Sequence, residues 1–144
     1  MKQFSKSLDK TKEIAGNFVK GLKIGEKALV VGLVGDLGAG KTTFSQAVGA
    51  TLGVEEAMQS PTFLIEKIYE LKEKPWKHLI HIDAYRLEKE SELVSLGWEK
   101  IIASPENIIL VEWADKIKNI LPADTQTIHF NFVDENTREI NIHA

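Results

Sequence analysis

The fold is decided by residues 28–43, which read ALVVGLVGDLGAGKTT. The first seven, Ala28–Val34, form a nearly uninterrupted apolar run, which is typical of a parallel strand buried on both faces. A glycine-rich turn follows, and apolar residues then recur at helical spacing until Gly53 supplies a C-terminal stop. This order predicts a strand, a tight turn and a helix, the building unit of an α/β fold.

The turn satisfies the phosphate-loop pattern G-x-x-x-x-G-K-[ST] from Gly35 to Thr42. Its glycines let successive backbone N–H groups point at phosphate oxygens, and the following helix adds its positive N-terminal dipole. We expect Lys41 to reach the β- and γ-phosphates, and Thr42 to place a hydroxyl on the Mg²⁺ that bridges them. The expected nucleotide-binding residues of this segment are Gly35, Asp36, Leu37, Gly38, Ala39, Gly40, Lys41, Thr42 and Thr43.

Two carboxylates follow apolar strands elsewhere in the chain. Asp83 ends the predicted strand Leu79–Ile82, and Glu112 ends the predicted strand Ile108–Val111. Because the carboxyl ends of parallel strands line the ligand crevice, we expect both carboxylates beside the phosphate loop, as catalytic and metal-binding groups. The pattern leaves open which one binds the metal and which one positions the attacking water.

Three further residues have less specific patterns. Thr62, in the turn 60–63 before a predicted strand, is a catalytic candidate for contacting the γ-phosphate, although the pattern taken alone favours an ordinary turn. Trp113 is interpreted equally well as core packing or as a wall of the site. His81 shares a strand face with Asp83, and a lone strand histidine is more often a hydrogen-bonded structural residue.

The remaining pattern predicts an amphipathic helix at Asp9–Leu22 and a strand at Phe63–Leu71. It also predicts a helical segment at Glu88–Ile102, broken near Gly97, and a C-terminal hairpin of strands 127–133 and 139–143. We therefore expect a three-layer α/β fold in which the sheet is mixed and largely parallel, with all 144 residues in a single domain. The pattern does not predict the strand order.

Composition excludes several classes of function. The chain has no cysteine, no apolar run long enough to span a bilayer and a formal charge of −3 without a basic block. A disulfide framework, a membrane span and a nucleic-acid footprint of its own are therefore not expected. Met1–Lys12 contains no apolar core of a secretory signal, which favours the cytoplasm. Only Arg86 and Arg138 offer a planar, bidentate fork to a phosphate.

Four blocks of the sequence together resemble the bacterial TsaE (YjeE) family. They are GDLGAGKTT at 35–43, SPTF at 60–63, HIDAYR at 81–86 and VEW at 111–113, and their order and spacing match over nearly the whole chain. The resemblance implies a P-loop NTPase-like fold and a Mg²⁺-dependent ATPase needed for the threonylcarbamoyladenosine modification of tRNA. It further implies that the TsaD–TsaB pair is the direct partner, that tRNA is contacted only indirectly, and that ATP hydrolysis resets the pair between turnovers.

The resemblance also implies roles for individual residues. Those matching Thr42 and Glu112 lie at the magnesium in the family, and those matching Asp83 and Thr62 lie close to the phosphates or the metal. The match to Trp113 sits beside the site.

Two terminal residues, Thr11 and Arg138, fall in segments similar to those that flank the nucleotide in the family. Trp98 departs from the family pattern, because a smaller aliphatic residue is more usual there. The departure predicts a change either in a partner surface or in the core.

Two other functions share the phosphate loop. A small-molecule kinase needs several arginines and a lid to clamp two phosphorylated substrates, and the two arginines of this chain argue against it. A nucleotide sensor that does not hydrolyse ATP needs only the loop and a binding partner. A GTPase is not expected, because the chain has no Asn-Lys-x-Asp segment.

Overall fold

The structure is a computed structural model that describes residues 2–36, 39–54 and 65–143. The strands are β1 Lys2–Ser5, β2 Leu29–Gly35, β3 Glu66–Glu70, β4 His78–Asp83, β5 Asn107–Glu112, β6 Gln126–Asp134 and β7 Thr137–His143. The helices are α1 Leu8–Lys20, α2 Lys41–Thr51, α3 Glu90–Ser95 and α4 Trp98–Ala103, and a 3₁₀ turn covers Ala114–Ile117. Within the described ranges, no helix is long and apolar enough to cross a bilayer.

All of these strands lie in one mixed sheet with the order β1-β7-β6-β2-β5-β4-β3. The four central strands, β6, β2, β5 and β4, run parallel to one another. Strand pairing is antiparallel at both edges of the sheet. At one edge β3 pairs with β4, and at the other β7 pairs with both β6 and β1. The predicted mixed sheet and C-terminal hairpin are therefore confirmed.

Apolar side chains fill both faces of the sheet, as strands buried on both sides require. One cluster joins the sheet to α1 and α2 through Ile14, Phe44, Val48, Leu33, Leu110 and Phe130. The other joins the opposite face to α3, α4 and the 3₁₀ turn through Leu93, Trp98, Ile117, Ile82 and Val111. The predicted three-layer arrangement is confirmed.

Local signals explain most of the element boundaries. Helix α1 begins after Ser7, whose side chain accepts a hydrogen bond from the Lys10 amide, as an N-cap does. The break between α3 and α4 falls at Gly97, where φ is +90°. Trp98 is 1% exposed and its Nε1–H donates to the Ile120 carbonyl at 2.9 Å, so this departure from the family pattern lies in the core.

Strand β1 has no counterpart in the sequence-based expectations. Its four residues, Lys-Gln-Phe-Ser, include a single apolar side chain and show no strand alternation, and the strand forms by pairing with β7. This pairing brings Ser5 opposite Arg138 and carries the N-terminus to the sheet edge beyond the hairpin. The strand therefore depends on contacts with residues more than 130 positions away.

Candidate nucleotide-binding site

The phosphate loop leaves β2 where that strand approaches β6 closely. A Cβ atom at Gly35 would overlap the backbone carbonyl oxygen of Phe130, so this position requires glycine. At the other end of the loop, Gly40 has φ +106° and caps α2, and its carbonyl accepts the first helical hydrogen bond, from Phe44. Backbone of this kind is strained for any residue with a side chain. Both fixed glycines of the pattern therefore have a structural reason.

Lys41, the first residue of α2, points back into the loop. Its side chain is 5% exposed, and Nζ donates to the carbonyl oxygens of Gly35 and, at 2.9 Å, of Asp36. Nζ also lies 4.0 Å from the ring centroid of Trp113. Burial lowers the pKa of Lys41 from its ordinary value, while the nearby Glu112 is the largest of the carboxylate influences that oppose this shift.

Glu112 at the end of β5 contacts the last residue of the phosphate-loop pattern. Strand β5 adjoins β2, with Glu112 opposite Leu33, and Glu112 is 2% exposed. Its Oε1 accepts a hydrogen bond from the Thr42 hydroxyl at 2.9 Å. Its Oε2 lies 2.5 Å from Nε2 of the fully buried His81. The P-loop threonine and a strand-end carboxylate therefore meet directly.

Asp83 ends β4, one strand further from the loop, and pairs in register with Glu112. It is half-buried, and its Oδ1 accepts a hydrogen bond from the Tyr85 amide at 3.0 Å. The structure thus brings both predicted carboxylates to the same edge of the sheet. The two carboxylates differ in environment, because Glu112 contacts Thr42 and is buried whereas Asp83 is more accessible.

Trp113 lies on the rim of the site and is partly exposed. Its backbone has φ +59° and ψ +41°, a left-handed conformation that an aromatic residue rarely adopts. The ring packs against Tyr85, with centroids 5.0 Å apart, and under the Lys41 ammonium. Trp113 also packs against the apolar cluster on the α3–α4 face of the sheet, so the structure agrees with both sequence interpretations, core packing and a wall of the site. Such backbone strain, which costs on the order of 1–3 kcal/mol, is concentrated at functional sites.

The two terminal candidates lie near each other at the other side of the loop. Arg138 approaches the loop, because a Cβ at Gly40 would be 3.8 Å from its Cγ, and its guanidinium stacks on Phe132 at 4.5 Å. Thr11 is 7% exposed and its hydroxyl lies 2.6 Å from that of Ser5, the register partner of Arg138. Arg138 thus flanks the loop directly, and Thr11 is linked to it through Ser5.

Comparisons with known proteins identify the family of this chain. A family profile described as "Threonylcarbamoyl adenosine biosynthesis protein TsaE" matches residues 5–140. The chain belongs to the TsaE family. It is 40% identical over 115 residues to the tRNA threonylcarbamoyladenosine biosynthesis protein TsaE of Bacillus subtilis, covering 80% of this chain and 69% of that protein. It is 34% identical over 138 residues to the TsaE of Rickettsia prowazekii, covering 95% and 90% of the two chains.

A solved structure supports the fold of this TsaE-family chain. The crystal structure of Bacillus subtilis YdiB superposes with a TM-score of 0.77 at 29% identity, over 99% of this chain and 83% of that one. The predicted P-loop NTPase-like fold is therefore confirmed.

The oxygens at this TsaE site fit a magnesium ion. Mg²⁺ prefers hard oxygen ligands and is usually held by one or two carboxylates together with water and substrate phosphates, not by a cage of protein side chains. Thr42 and Glu112 supply a hydroxyl and a carboxylate in contact, with Asp83 beside them. No cluster of three or more His, Cys, Asp or Glu side chains able to hold a metal occurs among the described residues.

Three of the predicted site residues, Leu37, Gly38 and Thr62, lie outside the described residues, and their roles stay predictions. Ala39 is fully buried and its amide donates to the Asp36 carbonyl at 3.1 Å, while Thr43 is half-buried in the first turn of α2.

The sequence did not predict the contact between His81 and Glu112. The sequence signal of His81 was its position two residues before Asp83, on the same strand face.

Proposed function

We propose that this chain is a Mg²⁺-dependent ATPase that acts on the TsaD–TsaB complex and permits its repeated turnover in the threonylcarbamoyladenosine modification of tRNA. Membership of the TsaE family supports the pathway. The observation that carries the ATPase proposal is the hydrogen bond between Thr42 of the phosphate loop and the buried Glu112. Such a pair of oxygens is what a P-loop hydrolase uses at the metal that bridges the β- and γ-phosphates.

In this proposal, Lys41 binds the phosphates of ATP. Its ammonium now donates to the loop carbonyls of Gly35 and Asp36, and it exchanges them for β- and γ-phosphate oxygens when ATP binds. The amides at the start of α2 add the positive end of the helix dipole at the same place. Because Lys41 is buried, these interactions act in a medium of low dielectric constant and are stronger than they would be in water.

The two carboxylates, Glu112 and Asp83, have different roles in this proposal. Bound magnesium supplies charge neutralisation at the β- and γ-phosphates. Glu112 holds the Thr42 hydroxyl and supplies negative charge at the metal position. Asp83 is the more accessible carboxylate, so we assign to it the orientation of the attacking water. Trp113 and Arg138 flank the nucleotide on opposite sides of the loop.

The need for a partner follows from the small number of arginines in this chain. Fast P-loop hydrolysis uses an arginine that stabilises charge in the transition state, and this chain has only two arginines. Arg138 is engaged with the Asp134 carbonyl at 2.7 Å and with Phe132. The transition-state cation would then have to come from Arg86 or from a partner, so we expect hydrolysis by the isolated chain to be slow and the partner complex to accelerate it. The net charge of −3 agrees with tRNA being contacted through the partners. We place this function in the cytoplasm, where tRNA is modified.

Phosphate release measured with and without TsaD–TsaB tests this proposal. We expect the pair to accelerate hydrolysis by about tenfold or more, in the direction of the far larger effects of arginine fingers. Equal and rapid rates in both cases would contradict partner dependence. Tight nucleotide binding without phosphate release in either case would instead favour the nucleotide sensor.

A further inference from the structure

His81 has an environment that its packing alone does not explain. It lies in the middle of β4, is 0% exposed, and has the apolar Leu110 as its register partner on β5. Leu79, two residues earlier on the same face, belongs to the apolar core. Burying an imidazole in such surroundings costs free energy unless its nitrogens are hydrogen-bonded. An aliphatic side chain would serve packing better at this position.

The hydrogen bond that compensates this cost is made to the nucleotide site. Nε2 of His81 lies 2.5 Å from Oε2 of Glu112, which reaches it diagonally across the β4–β5 pair. Nδ1 has no hydrogen-bond partner among the residues that the structure describes. Because a carboxylate oxygen can only accept, Nε2 is the donor of the hydrogen bond to Glu112.

The consequence for Glu112 is that both carboxylate oxygens are held, each by a different donor. Oε2 accepts from His81, and Oε1 accepts from Thr42. Two anchors fix both the rotamer of the side chain and the plane of its carboxylate. Since His81 approaches from β4 and Thr42 from α2, the anchored carboxylate presents Oε1 to the phosphate loop and keeps Oε2 turned into the sheet.

We propose that His81 is a positioning residue that fixes the Glu112 carboxylate so that Oε1 faces Thr42 and the magnesium bound there. This inference rests on the proposed function. Hydrogen bonds that orient a carboxylate ligand typically change metal affinity or activity by about 10- to 100-fold when they are removed. His81 acts through Glu112 and is not itself expected to touch nucleotide or metal.

The test compares three substitutions of His81 that differ in where they place a donor. His81→Phe keeps a flat ring and removes the donor, while His81→Gln places an amide N–H close to the former position of Nε2. His81→Asn carries the same amide one bond too short to reach Glu112, and it replaces the phenylalanine variant if that one does not fold. The matched control is His78→Phe, because His78 is on the same strand but its register partner is Asn107 at the far end of β5.

The readout is the gain in affinity for a non-hydrolysable ATP analogue that Mg²⁺ produces, measured by calorimetry with Mg²⁺ and with EDTA, and it needs no hydrolysis. We expect His81→Phe or His81→Asn to reduce this gain by about tenfold or more. His81→Gln should retain most of the gain, and His78→Phe should change it by less than about twofold.

Two results would overturn the inference. The gain could persist in full in His81→Phe and His81→Asn, or it could fall equally in His81→Gln, which would assign the effect to loss of the ring. A wild-type chain whose affinity for this analogue does not depend on Mg²⁺ would refute the magnesium dependence of the proposed function, and this inference with it. The wild-type measurement therefore distinguishes the two failures.

Discussion

Lys41→Ala is expected to abolish ATP hydrolysis and to weaken ATP binding by about 10- to 100-fold, the loss that removal of one charged hydrogen-bonding group produces. The ammonium is the one cation that the structure places inside the phosphate loop among the described residues, where it contacts the Gly35 and Asp36 carbonyls. No other described lysine has its Nζ against these carbonyls. Calorimetry with a non-hydrolysable ATP analogue and a phosphate-release assay measure the two effects separately.

The matched control for this substitution is Lys77→Ala. Lys77 lies just before β4, at the amino ends of the parallel strands, whereas the loop lies at their carboxyl ends. It makes an exposed ion pair with Glu106 at 3.2 Å. Such a pair contributes about 1 kcal/mol or less to stability, so the variant should fold and bind ATP as the wild type does. If Lys41→Ala bound and hydrolysed ATP like Lys77→Ala, the phosphate loop would not be the nucleotide site.

Glu112→Gln is expected to lower hydrolysis by about 100-fold or more while leaving ADP binding without Mg²⁺ nearly unchanged. Glutamine keeps the shape of the side chain but removes its charge. It also offers only one acceptor oxygen to the two donors, Thr42 and His81, that the carboxylate now satisfies. The effect should therefore appear in the steps that need the metal, and phosphate release across a Mg²⁺ titration measures it.

Glu106→Gln provides the control, because Glu106 immediately precedes the same strand, β5, but its carboxylate is exposed at the far edge of the sheet. Its rate should equal that of the wild type within about twofold. Thermal unfolding of both variants separates lost chemistry from lost folding. Normal hydrolysis by a folded Glu112→Gln would show that the carboxylate has been assigned wrongly.

The phosphate loop and its flanking elements could be predicted because their signals are local. Gly35, Gly40 and Lys41 each act through a constraint on their own backbone or on the adjacent helix, and the apolar run before them reports burial on both faces. The positions of Asp83 and Glu112 at strand ends were predictable for a similar reason, since all parallel strands end at one edge.

The difference in contacts between Asp83 and Glu112 could not be predicted, because it depends on strand order. Only the pairing of β5 with β2 brings Glu112, and not Asp83, against Thr42. The contact of His81 depends on the same pairing, since it joins residues 31 positions apart. Strand β1 likewise exists only through β7. These features follow from long-range packing, which hydrophobic periodicity does not encode.

The most direct test of the central claim is the number of tRNA molecules that each TsaD–TsaB complex modifies when an activated threonylcarbamoyl donor is in excess. With the wild-type chain and Mg²⁺–ATP, we predict many threonylcarbamoyladenosines per complex. With Lys41→Ala, or with a non-hydrolysable ATP analogue, we predict that modification stops near one per complex. Repeated turnover that is equally efficient with Lys41→Ala, or without this chain, would contradict the account.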